Sequence, residues 1–493
     1  MTTKLKRQAI FGEGIYSKSA VVTRQRRLNC YLEVRKDQDK SSIVLYGTPG
    51  MALSFNASTP LNYPARGIIG NKSALYEVAG NQILSLSKTG GVIFTGTIGT
   101  AAGLVGMALN PTQVIIVDGS AGYIYTPGSS TVATIGASFP NGAKTVAQCN
   151  GFFLCELPGT NEVFVSALND GTTWNGLSFF AAVQYTDGVL AVDALGGLVV
   201  VFSTGHLEFW QNVGATTEPF QYITNSALEY GLAAVYARAH VADSIVFLCQ
   251  TREGGIQVGR IYGYQVKIVS TSDVDNILQG IASTVGVSDA TMLVYQQDSH
   301  KFVQLTLPSA NNGLGRSLLY DVSEDTWGET QTGIAPGAGA RHIGNLSATA
   351  FGNTYVSDYS NGNIYQPSPT TYQDNGNVIL RELVTKTGIN DFNRYRVSQM
   401  YFDMETGVGL NNPALQGYAP VVTVERSRDM RDFGPARIVP LGQLGQFVTR
   451  VLTRRWGTGR AFTYRLRMTD PVPFVVTAGA AISRMRGRAQ DAA

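Results

Sequence analysis

From about residue 68 to residue 367 the chain repeats one short pattern: an apolar or alternating strand, a Gly/Asn/Asp turn, and a second strand. SALYEVAGNQILSLS, QVIIVDGSAGYIYTPG, GFFLCELPGTNEVFVSAL, GLVVVFSTGHLEFWQN and MLVYQQDSHKFVQLTL are examples, and TYVSDYSNGNIYQPS is a late one. Each places a residue able to take positive φ between runs of branched and aromatic side chains, the signature of a β-hairpin. The second strands reach Leu84, Tyr125, Phe164, Phe209, Tyr262, Phe302 and Tyr365. These recur at roughly 40 to 60 residues, the period of four-stranded propeller blades. The pattern predicts an all-β protein with a β-propeller of six or seven blades over residues 41–370. Two β-sandwiches would give similar strands at less regular spacing.

After QPSPTTYQDNGN the strands become longer and alternate more strictly, as in YRVSQMYFDMET and QFVTRVLTRRWG. They read as an antiparallel β-sandwich over 371–484, with Pro367 and Pro369 at the boundary. In FTYRLRMTD, Phe462, Tyr464, Leu466 and Met468 share one face and Thr463, Arg465, Arg467 and Thr469 the other. One face is core and the other displays guanidinium groups. Residues 1–40 read as a basic N-terminal arm and first strand, and 485–493 as a flexible tail.

Charge is concentrated at the ends. Residues 1–30 hold seven Lys and Arg against Glu13, and from Val421 onward there are thirteen Arg, no Lys and five acids. With a net charge of +3 over 493 residues, the middle is acidic. Basic ends on an acidic body point to an anionic partner at one surface or to arginines paired at interfaces. The four cysteines (Cys30, Cys149, Cys155, Cys249) form no Cys-x-x-Cys pair. They are expected to be small buried hydrophobes in a chain assembled in a reducing compartment. No apolar stretch follows the basic start as a signal peptide requires. The longest apolar run, LGGLVVVF, is too short to span a bilayer.

VSALNDGTTWNG carries Ser166, Asp170, Gly171 and Trp174, close to the Asp-box turn of sialidases. A glycosidase needs two carboxylates across the scissile bond, or in sialidases a tyrosine and three arginines. One imperfect box, with a looser echo at Ser427 to Phe433, supports a structural turn better than a glycan-active site. That hydrolase reading and a protein-binding kelch-like propeller are the alternatives, the latter from the Tyr-Asp…Trp order in LLYDVSEDTWGE. His206, His240, His300 and His342 are scattered, with no His-x-x-x-His pair. GASFPNGAKT lacks phosphate-loop spacing. Asp273, Asp275, Asp321, Glu324 and Asp325 lack calcium-loop spacing. No catalytic residue, cofactor or metal is expected.

The order of several phrases carries a resemblance. They include RRLNCYLEVRKD with IVLYGTPGMALSF, PARGIIGNKSALYEVAGNQILSL, FVSALNDGTTWNGLSFFAAVQYTDGVLAV and HLEFWQNVGATTEPFQYITNSALEYGLAA. VERSRDMRDFGPARIVPLGQLGQFVTRVLTRRWGTGR follows near the C-terminus. The chain resembles the packaged-DNA stabilisation proteins of short-tailed bacteriophages, also called tail hub or nozzle proteins. Met430 stands where that family has glycine. The resemblance implies a structural virion protein of the tail, assembled in the host bacterial cytoplasm. It also implies a homohexameric ring below the portal-adaptor that continues the DNA channel and retains the genome until ejection. Implied partners are the adaptor, a tail needle or plug, a tailspike or fibre, and double-stranded DNA contacted without sequence preference, with no membrane. Arg24, Arg26, Arg27, Arg450, Arg454, Arg455 and Arg460 are the candidate interface or channel residues.

Overall fold

The computed structural model describes residues 5–485, except 9, 13, 20–21, 36–41, 57–61, 183, 185–186, 216–217, 335–339 and 390–392. Seven antiparallel blades, spanning 65–97, 106–134, 146–181, 189–222, 230–268, 291–330 and 344–368, surround a central channel. The seventh blade is completed by Gly50–Phe55, which pairs antiparallel with Ile364–Ser368. A strand from before the first blade thus supplies the last strand of the final one. It ties the two ends of the propeller stretch together within one blade.

The blade interiors explain why their strands read as continuous apolar runs. In Val114–Val117 all four side chains are fully buried. Ile115 and Val117 pack on Phe153, Cys155 and Trp174 of the next blade, while Val114 and Ile116 pack on Tyr76, Val78 and Ile83 of the previous one. Val199 and Val201 against Val200 and Phe202 repeat the arrangement one pair of blades further on. A central strand with a neighbour on each face loses its polar positions and the period-2 signal with them. All four cysteines are buried in these cores or the sandwich and are free. Burial pushes the Cys149 thiol up to about 11 and those of Cys30 and Cys249 to about 12.

One helix, Ser272–Thr284, joins the fifth and sixth blades. The Thr271 side chain accepts from the Val274 amide, and Val274 and Leu278 are buried. Asp273 and Asp275 lie in its first turn, where acidic side chains complement the helix dipole.

The second unit is a β-sandwich. One sheet runs Cys30–Val34, Ile43–Gly47, Val475–Met485, Tyr395–Met404, Val451–Gly459, with Leu5–Gln8 also on Val475–Met485. The other runs Arg26–Leu28, Arg381–Val384, Ala461–Met468, Val421–Ser427, Arg437–Pro440. Phe462, Tyr464, Leu466 and Met468 face the core, as their alternation requires. The sandwich is discontinuous in sequence. Arg26–Leu28, Cys30–Val34 and Ile43–Gly47 belong to it, although they precede or fall just inside the stretch the hairpin pattern gives to the propeller. The chain begins in the sandwich, crosses into the propeller at Gly50 and returns near Arg381. Short strands whose partners lie hundreds of residues away leave no local periodicity from which to place them.

Candidate functional site

The Ser166–Trp174 turn is structural. Ser166 Oγ accepts from the Phe153 amide at 3.0 Å and donates to the Ala167 carbonyl at 2.9 Å. Asp170 Oδ1 accepts from the Thr172 amide and hydroxyl at 2.9 and 2.7 Å. The Thr172 hydroxyl leads the bonds that hold the Asp170 carboxyl down to about 2. Gln113, from the preceding blade, accepts from the Gly171 amide at 2.8 Å. Trp174 Nε1 donates to the Gly171 carbonyl at 2.7 Å, and its ring meets Phe139 edge-on at 5.0 Å. The turn therefore staples two blades. Its left-handed residue is Asn169 (φ 57°), not Gly171. Gly171 is small because a Cβ there would come within 2.6 Å of Ile124 and 2.9 Å of Phe153.

A second constellation joins propeller to sandwich. The parallel bridge Leu28↔Glu329 makes the outer strand of the sixth blade continuous with a sandwich sheet. On one face of this composite sheet charges alternate from strand to strand. Arg316 pairs with Glu329, whose other oxygen meets Arg26 Nε at 2.5 Å. Arg26 reaches Glu382 at 3.2 Å, Glu382 meets Arg467 at 3.1 Å, Arg467 meets Glu425 at 3.2 Å, and Glu425 also pairs with Arg465. This ladder crosses six strands. Glu329 is fully buried, and against the cost of that burial Arg26 and Arg316 hold its carboxyl below the usual range. Taking such charges out of water is repaid only if each is met, so loss of one rung leaves its neighbours uncompensated. Arg27, on the opposite face of the same strand, is buried and donates to the Trp327 carbonyl at 2.8 Å. Arg24 lies over the Tyr16 ring at 5.7 Å.

The other four candidate arginines sit elsewhere. Arg450 precedes, and Arg454, Arg455 and Arg460 lie on or just beyond, Val451–Gly459, the edge strand of the other sandwich sheet. All four are exposed, and among the described residues none has a carboxylate within ion-pair distance. The register against Tyr395–Met404 slips between Arg454 and Gly457, and Arg455 takes φ 59° in the bulge. A bulge bends an edge strand and re-aims its side chains. Arg437 caps this bulge, donating to the Arg454 and Arg455 carbonyls and stacking over Trp456 at 3.8 Å. Burial, then the like charge of Arg428 and Arg437, lowers the Arg426 guanidinium from its ordinary value. The cations are thus crowded on one edge. The turn at Ser427 lies beside them: Ser427 donates to Asp429 at 2.8 Å, and Met430 takes φ 63° where the family's glycine would sit without strain.

The propeller's channel encloses about 830 Å³. Asp193 is the one carboxylate lining it among the described residues, and Arg238 (2.9 Å) and His240 (2.7 Å) occupy its two oxygens. Against the cost of burial, His240 and Arg238 hold the Asp193 carboxyl down to about 2. This is an ion-pair cluster rather than a pair of carboxylates poised across a glycosidic bond. The remaining histidines lie apart: His206 on Asp187 (2.7 Å), His300 on Asp321 (2.7 Å) and His342 facing Asp374 (3.9 Å). Asp325 accepts from Tyr320 at 2.7 Å and pairs with Lys267, and Glu324 accepts from the Val34 amide. No metal-binding cluster occurs among the described residues.

The seven candidate arginines therefore form two groups, one at the seam between domains and one on a free edge. Sequence reasoning missed the acidic rungs Glu329, Glu382 and Glu425. The alternation that put Arg465 and Arg467 on one face was the only trace of the ladder.

These features define a class: a seven-bladed propeller fused through a shared sheet to a sandwich folded from both ends of the chain. The chain belongs to the bacteriophage P22 Gp10 family. Its β-propeller model matches residues 10–372 and its β-sandwich model residues 380–483, together nearly the whole chain. The protein is accordingly a phage tail structural protein. No curated protein matches the chain. Similar solved structures include the Neurospora crassa Pan2 WD40 domain (10% identity, TM-score 0.42, 64% of this chain and 95% of that one). The N-terminal domain of Nup159 is another (8%, TM-score 0.40, 68% and 97%).

Proposed function

We propose that the protein is the tail hub, or nozzle: a non-catalytic ring component below the portal-adaptor that continues the DNA conduit and helps retain the packaged genome until ejection. Six copies form the ring, with a needle or plug and a tailspike or fibre as further partners. The observation that carries this reading is the set of exposed guanidiniums of Arg450, Arg454, Arg455 and Arg460 on one sandwich edge, without an ion-pair partner among the described residues, in a chain of a phage structural family. Exposed arginines without internal partners suit contact with phosphate or with carboxylates of a neighbouring subunit. A dense cationic lining would hold duplex too tightly for passage, because each neutralised phosphate adds to a salt-dependent affinity. A few arginines on a chain of net charge +3 permit contact without trapping. Base-specific readout plays no part in a passage that must accept every sequence.

Electron microscopy of the purified protein mixed with its adaptor tests the reading. Rings docked coaxially on the adaptor are expected. Protein that stays monomeric and never joins the adaptor would overturn it.

A further inference from the structure

A cleft of about 500 Å³ opens on the charge ladder where propeller meets sandwich. Five arginines line it (Arg24, Arg26, Arg431, Arg465 and Arg467) against the single carboxylate of Glu382. The floor is internally matched: Arg26, Arg465 and Arg467 are held by Glu329, Glu382 and Glu425. The rim is not. Arg24 and Arg431 have no carboxylate partner among the described residues, although both border a dense array of ion pairs. Beside them the Tyr16 and Phe433 rings carry guanidiniums at 5.7 and 4.1 Å, so the walls are both cationic and flat.

We propose that this cleft binds an extended acidic segment of a partner protein, with carboxylates of the segment pairing with Arg24 and Arg431. Charge decides the sign of the occupant, and bidentate guanidinium–carboxylate bonds supply the directional contacts. An extended segment, whose successive side chains point to opposite sides, can offer carboxylates to both rim arginines of a cleft of this size. The exposed Ile334 side chain in the same lining gives an aliphatic or aromatic residue of the segment a place between its acids.

The test is fluorescence anisotropy with the full-length protein and a fluorescein-labelled Glu-Asp-Phe-Asp-Glu peptide. Saturable binding is expected, weakened at least tenfold when the peptide acids are replaced by their amides. The double variant Arg24→Ala/Arg431→Ala should also bind at least tenfold more weakly, and Arg24→Lys/Arg431→Lys should recover part of the loss. Arg454→Ala, which does not line the cleft, should bind as wild type does. Thermal unfolding of the variants at the wild-type midpoint distinguishes lost binding from lost folding. Failure of the peptide to bind would overturn the proposal. So would undiminished binding by the folded double-alanine variant, or full displacement of the peptide by a 12-base-pair duplex.

Discussion

The seam and the free edge use the same residue for opposite ends. At the seam, Arg316, Arg26, Arg467 and Arg465 alternate with three glutamates along the shared sheet. On the edge, Arg450, Arg454, Arg455 and Arg460 are exposed with no acid to meet them among the described residues. The difference lies in the neighbours. Where strands of the propeller and sandwich share a sheet, each arginine has a cross-strand glutamate at hydrogen-bonding distance. Where the sheet ends, the next partner must come from another molecule. Paired arginines should therefore govern stability and unpaired ones assembly, and the contrast can be attacked from either side.

The largest effect is expected at Glu329. Glu329→Ala removes the acid shared by Arg316 and Arg26 and should cost about 3–5 kcal/mol in denaturant unfolding. Arg454→Ala, its counterpart on the edge, should leave the midpoint where it is. Trp174→Ala tests packing without charge: loss of this buried staple should cost roughly 3–5 kcal/mol in the same assay. If Glu329→Ala costs far less than Trp174→Ala, the ladder does not join the domains.

Glu77 gives the opposite case, a buried acid without a cation. It is fully buried, neither oxygen bonds a protein group among the described residues, and burial pushes its carboxyl up to about 8. An acid whose folded pKa is raised holds its proton in the native state while the unfolded chain has released it, so stability falls as pH rises from about 4.5 to 8. Glu77→Gln should raise stability at pH 9 and change little at pH 4. An equal gain at both pH values would show that Glu77 finds a partner in solution.

Smaller effects should come from the two strained residues beside the edge. Met430→Gly and Arg455→Gly each relieve a left-handed backbone and should stabilise by ~1 kcal/mol in thermal unfolding. Their functional outcomes should diverge. Met430→Gly keeps every edge cation, whereas Arg455→Gly removes one and should impair tail assembly even though the protein is more stable. A strained arginine retained where glycine would fold better is what a contact residue predicts.

Much of this was legible in the sequence because it is local. Hairpins announce themselves over about fifteen residues, so the propeller, the 462–468 alternation and the Ser166–Trp174 turn could be read directly. The closing strand Gly50–Phe55 could not, since its partner lies more than 300 residues on. The ladder was hidden for the same reason: Arg26 is separated by 303 residues from Glu329 and by 356 from Glu382. A list of arginines carries no sign of which will find acids. Arg26 and Arg454 look alike until the topology puts Glu329 and Glu382 beside only the first. The helix Ser272–Thr284 was missed because just two of its side chains are fully buried, too short an apolar stripe to stand out from a loop.

The central claim is that the edge arginines serve assembly and genome retention and contribute nothing to the fold. It is tested most directly by the triple charge reversal Arg450→Glu/Arg454→Glu/Arg455→Glu introduced into phage particles, with unfolding of the purified variant measured alongside. The expected result is a wild-type unfolding midpoint together with particles that lack tails or have lost their DNA. A normally folded variant giving wild-type particle yield, DNA content and infectivity would contradict the account.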